Sequence, residues 1–200
     1  QRAPTPTHSP KASPPNRRHS KALATAAVRP ILQGDPEESE QALVFADDAW
    51  GLVPKNAIAR YYMATVCTYQ GRCPEAREQY QRGIEADPSN PNLHIGLAYN
   101  YYGTGSIPDA LLSFEDAIAV DPDNAEAFDG RAYMYLQLGD APLAEQNALE
   151  ATRLNPNMSR AQGRLGEAFF RQNNYAEAVD ALEKAIAMYG RATDLNARFF

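Results

Sequence analysis

Residues 92–122 read NLHIGLAYNYYGTGSIPDALLSFEDAIAVDP, and they contain one whole structural unit. Asn92 to Tyr102 is expected to be a helix, Gly103 to Ser106 a turn, Pro108 to Val120 a second helix, and Asp121-Pro122 the stop. Proline at 108 suits the first helical turn, where a missing N–H costs nothing. Proline at 122 cannot continue the helix and pushes Asp121 out of the α region.

The same unit recurs on either side. Ala76, Ala110, Ala144 and Ala178 stand 34 residues apart, Pro88, Pro122 and Pro156 keep the same step, and so do Gly71, Gly105 and Gly139, with Asn173 in the fourth place. A helix pair of this length cannot bury its own apolar face, so stacked neighbours must supply the core. The product is an all-α, elongated solenoid with a groove, for which binding is the default function.

Further columns agree at this period. A small residue late in the first helix is Ala64, Ala98, Ala132 and then Gly166, followed three residues on by Cys67, Tyr101, Tyr135 and Phe169. Four residues beyond the alanine quartet come Tyr80, Phe114, Ala148 and Leu182, and then Gly83, Ala117, Ala151 and Ala185. With these columns the chain resembles the tetratricopeptide repeat (TPR) family. The resemblance implies antiparallel helix pairs in a right-handed superhelix, with units at 57–90, 91–124, 125–158 and 159–192. A degenerate unit is expected over 22–56, where Pro54 stands one period before Pro88, and 193–200 should begin a partial capping helix. Two departures are Arg60, His94, Phe128 and Gln162 in the family's tryptophan column, and Gly190 where a fourth proline belongs.

The net charge of −6 hides an asymmetry, since residues 1–21 carry Arg2, Lys11, Arg17, Arg18 and Lys21 and no acid, leaving −11 on the remainder. An acidic body repels phosphates, so no nucleic-acid partner is expected. The first 21 residues also hold Pro4, Pro6, Pro10, Pro14 and Pro15 and almost nothing apolar, the composition of a disordered tether or docking peptide. No apolar run reaches the roughly 18 residues of a transmembrane span. The sequence opens at Gln1, not methionine, which fits a trimmed chain or a mature exported protein whose leader has been removed. In the second case a lipid anchor would lie upstream of Gln1.

Cys67 and Cys73 are the only cysteines. Lying late in one helix and early in its antiparallel partner, they are candidates for a disulfide, which needs Cα atoms ~4.4–6.8 Å apart and an oxidising compartment. Two small packed thiols are the other reading. No metal or cofactor is expected, with two of three histidines in the tether.

In TPR proteins the first helix of each pair lines the concave face, and residues spaced 3, 4 and 3 apart share one side of it. The resemblance therefore places Tyr61 and Thr65, Tyr99 and Tyr102, Asp129, Tyr133 and Leu136, and Arg160, Glu167 and Phe170 in a partner-binding groove, joined by Arg164 and Arg171. Its centre should be aromatic and its far end cationic, able to receive an acidic segment. Gly96, Gly130 and Gly163, beside these positions, either admit a partner or relieve crowding between helices. The family's carboxylate clamp needs lysine and asparagine on the first groove helix and further cations on later ones; Tyr61 and Thr65 occupy the first pair of positions and Ile95 and Tyr99 the next, so a chaperone C-terminus is disfavoured. No catalytic site is expected: Gly103-Thr104-Gly105 sits between helices without the strand a phosphate loop requires.

Two functions follow from the resemblance. One is a pilotin-like TPR lipoprotein of a type IV or Tad pilus or secretion system, periplasmic and anchored to the outer membrane, holding a peptide or helix of a secretin or other subunit. The alternative is a cytoplasmic adaptor or co-chaperone.

Overall fold

The computed structural model describes residues 57–69, 71 and 73–197. The tether over 1–21, the degenerate unit over 22–56 and residues 198–200 lie outside the described residues. Within them the chain forms antiparallel helix pairs: α1 (Ala57–Tyr69) with α2 (Cys73–Ala86), α3 (Pro91–Gly103) with α4 (Ile107–Val120), α5 (Ala125–Leu138) with α6 (Ala141–Leu154), and α7 (Ser159–Arg171) with α8 (Tyr175–Ala197).

The repeat columns explain the pairing. Ala76, Ala110 and Ala144 are fully buried and Ala178 nearly so, which lets the two helices of each pair approach closely. The turn column adopts the left-handed backbone, with φ of 72°, 84° and 80° at Gly71, Gly105 and Gly139 and 64° at Asn173. Asparagine is the side chain that tolerates this region best after glycine, so the fourth turn keeps its shape. Asn124 and Asp140 cap α5 and α6, each accepting the third N–H of its helix at 3.1 Å.

First helices of neighbouring pairs touch one another, α1 on α3, α3 on α5 and α5 on α7, whereas among the described residues second helices meet only first helices. The stack therefore curves with α1, α3, α5 and α7 on its inner side.

One expected boundary is displaced. A break near 190 and a new helix from Thr193 were anticipated, but α8 runs unbroken to Ala197. Glycine at 190 weakens a helix without the steric block that proline imposes, so nothing stops α8 where Pro88, Pro122 and Pro156 stop their counterparts. The cysteines are not bridged: Cys67 is buried in the first core cluster, and Cys73 opens α2 half-buried.

Candidate functional site

The inner face is built around a tyrosine row. Tyr61 meets the Tyr80 ring edge-on at 6.2 Å between centroids, and Thr65 Oγ1 lies 3.4 Å from the Tyr80 hydroxyl. Further along, Tyr99 packs edge-on against Phe114 at 5.2 Å, and Tyr102 does the same against Tyr133 at 5.2 Å. The Tyr102 and Tyr133 hydroxyls share a 2.8 Å hydrogen bond. That bond, ahead of burial, raises the Tyr102 phenol, and burial raises that of Tyr99. Tyr61, Tyr99, Tyr102 and Tyr133 are half-buried, each with part of its surface committed to packing, whereas Tyr80 and Phe114 are buried.

Beyond the tyrosines lies an ionic cluster. Asp129 is completely buried; Arg160 Nε donates to its Oδ2 at 2.5 Å, and Arg164 Nη1 contacts the same oxygen. Arg164 also donates to the Asp129 carbonyl at 2.5 Å and lays its guanidinium over the Tyr133 ring, 4.7 Å from the centroid. Arg160 bridges further to Glu126 at 3.1 Å, and Arg171 donates to Glu167 at 2.6 Å and to the Leu136 carbonyl at 2.6 Å. Burial pushes the Asp129 carboxyl up, while Arg164 and Arg160 pull it down; upward wins.

Three expectations change. The arginines do not form a free cationic patch, because Asp129, Glu126 and Glu167 neutralise them; Asp129, Glu126 and the Leu136 carbonyl bind them to α5, whereas Glu167 pairs with Arg171 within α7. Asp129 itself is inaccessible to a partner. Leu136 packs fully buried with Ala144 and Ala168, since the last position of its helical set has rotated past the groove rim into the core. Phe170, by contrast, is exposed, with its ring edge-on to Tyr175 at 5.8 Å.

The glycines divide. A Cβ on Gly96 would enter the Tyr80 ring and one on Gly130 the Phe114 ring, so both relieve crowding between stacked helices. Gly163 has no neighbour within 4 Å of its Cβ position and leaves open space on the inner side of α7. Sequence reasoning missed the ion pairs, although Glu126 and Arg160 occupy one column a period apart, where stacked helices bring them together. A separate hollow of about 530 Å³ lies among α6, α7 and α8, lined by Leu149, Leu165, Phe169 and Ala181 with Asp180 and Lys184 at its edge. Among the described residues no group of histidine, cysteine and carboxylates could hold a metal, and no helix is long and apolar enough to cross a membrane.

The family model described as Tetratricopeptide repeat matches residues 95–158 and 135–193, and one described as TPR repeat matches 64–105. No curated protein matches by sequence. Among solved structures, PilF of Pseudomonas aeruginosa is 18% identical with a TM-score of 0.77, covering 86% of this chain and 77% of its own. A thermophilic TPR protein of Thermus thermophilus is 21% identical with a TM-score of 0.72, over 90% and 96% of the two chains. YrrB, described as a TPR protein with an unusual peptide-binding site, is 22% identical with a TM-score of 0.60, over 92% and 94%. At these identities the likeness is one of fold.

Proposed function

The chain belongs to the tetratricopeptide repeat family, whose members are generally protein–protein interaction scaffolds, and we propose that its inner face holds a largely uncharged peptide or helix of a subunit in a bacterial envelope secretion or pilus machine. The observation that carries the groove is the half-buried row Tyr99, Tyr102 and Tyr133 beside the open space at Gly163. Rings tipped with hydroxyls combine apolar area with hydrogen bonding at low entropic cost. The internally neutralised arginines favour such a segment over an acidic one, since an acidic peptide would have to displace Asp129, Glu126 or Glu167.

The envelope assignment draws on the sequence plan, a basic Pro-rich tether ahead of a repeat domain, as in pilotin-like TPR lipoproteins. Similarity of fold to PilF agrees with it. The test is photo-crosslinking in cells that express the full-length precursor, with a reactive residue at Tyr102 or at Leu149 on the outer side. Envelope fractionation and one crosslinked secretion subunit from Tyr102 but not Leu149 is the expected result. Cytosolic fractionation would sink the envelope assignment, and crosslinks from Leu149 alone would sink the groove.

A further inference from the structure

The outer face of α8 carries five large apolar side chains in one stripe. Tyr175 (56% exposed), Val179 (56%), Leu182 (40%), Ile186 (71%) and Tyr189 (68%) follow one another at spacings of 4, 3, 4 and 3, so they share one side of the helix. The first four occupy the columns of Ile107, Leu111, Phe114 and Ile118 two units earlier. There the same side of α4 is covered by α5, with Phe114 fully buried and the other three packed around it. The stripe on α8 is thus of the kind that a following helix covers elsewhere in this molecule. Among the described residues nothing folds back over it, since α8 continues straight through Gly190 to Ala197.

We infer that this stripe is an interface between two copies of the chain, packed antiparallel through α8. The spacing is nearly symmetric about Leu182, which lies seven residues from each tyrosine. An antiparallel pairing sets Leu182 against Leu182 of the partner subunit and Tyr175 against Tyr189 of the partner subunit. At 150–250 Å² for a buried aromatic, the stripe offers roughly 500 Å² per copy. A pair then covers about 1,000 Å², the lower bound of a specific interface, and the patch of roughly 500 Å² lies in the upper part of the range of apolar patches that often carry function.

The test uses the full chain. Sedimentation over a concentration series is expected to show a reversible dimer, and Ile186→Glu, a change at an exposed site, should weaken it at least tenfold while circular dichroism and the melting profile stay the same. Leu182→Cys should form a covalent dimer on mild oxidation, under conditions where the unmodified chain, with Cys67 and Cys73, does not. Tyr175→Cys alone should fail to crosslink, because antiparallel helices centred on Leu182 hold the two 175 positions roughly 21 Å apart at 1.5 Å per residue, whereas a mixture with Tyr189→Cys should succeed. A monomer up to 100-fold the working concentration, or a dimer unaffected by Ile186→Glu, overturns the interface. Self-crosslinking at Tyr175→Cys overturns the antiparallel arrangement.

Discussion

The junctions between neighbouring pairs are closed in two ways. Where α2 meets α3 and α4 meets α5, a ring enters a glycine notch: Tyr80 over Gly96 and Phe114 over Gly130, 16 residues apart in each case. Where α6 meets α7 the same two columns hold Ala148 and Arg164. The ring has gone, and in the place of the notch stands an arginine that reaches back to Asp129 and over Tyr133. Apolar closure excludes water and fixes the crossing. Ionic closure leaves Arg160 47% and Arg164 17% exposed on the inner face, both paired to Asp129. One period thus builds a stiff section and a polar one from the same backbone.

The largest effect should come from emptying a notch. Phe114 is wholly buried, and Phe114→Ala removes the ring that holds α4, α5 and Tyr99 together. Denaturant unfolding is expected to show a loss of about 3–5 kcal/mol. At the third junction there is no ring to remove, and Arg164→Ala should cost less, since Asp129 keeps Arg160. Equal losses would mean that the two closures are energetically alike and would erase the distinction.

The period, the turns and the helix limits were legible because each rests on local chemistry repeated in register: proline as a stop, glycine or asparagine at positive φ, alanine at the contact. Even the unit at 92–122 falls within a residue of the observed α3 and α4. The site was less legible. A face assigned from 3-4-3 spacing treats the helix as isolated, but stacking curves the inner surface and draws Leu136 and Asp129 beneath it. Arg160 and Arg164 looked available because their partners on α5 are about one period away in sequence and become adjacent only when helices stack. The run of α8 through Gly190 is hidden by the repeat register, because glycine weakens a helix but lacks the steric block by which proline ends one.

A smaller effect, of opposite sign at two glycines, tests where the notches end. Gly130→Ala places a methyl group inside the Phe114 ring, and overpacking of that kind costs about 1–3 kcal/mol. Gly163→Ala meets nothing, so the higher helix propensity of alanine should raise stability by up to about 1 kcal/mol. Thermal melts of the two variants should move in opposite directions. If both fall, the inner side of α7 is covered by something the described residues do not include.

The smallest change in stability should come from Asp129→Asn, and it probes the ionic junction from within. Burial raises the folded pKa of this carboxyl above its unfolded value despite Arg164 and Arg160. A group shifted upward contributes stability that is complete below the unfolded pKa and is lost as pH rises through the folded one. At neutral pH the buried charge is therefore close to a net cost, and an amide of the same shape removes it, while the two arginines keep access to water and Arg160 keeps Glu126. Asp129→Asn is expected to change stability at pH 7 by less than about 1 kcal/mol, unlike the 3–5 kcal/mol of a broken buried pair. Urea unfolding at acid and neutral pH should show the variant gaining on the original chain as pH rises. The freed arginines should also confer weak, salt-sensitive binding of an acidic peptide that the original chain lacks. A loss of several kcal/mol at pH 7 that disappears on acidification would mean that attraction to the arginines outweighs burial, making the third junction as firmly closed as the other two.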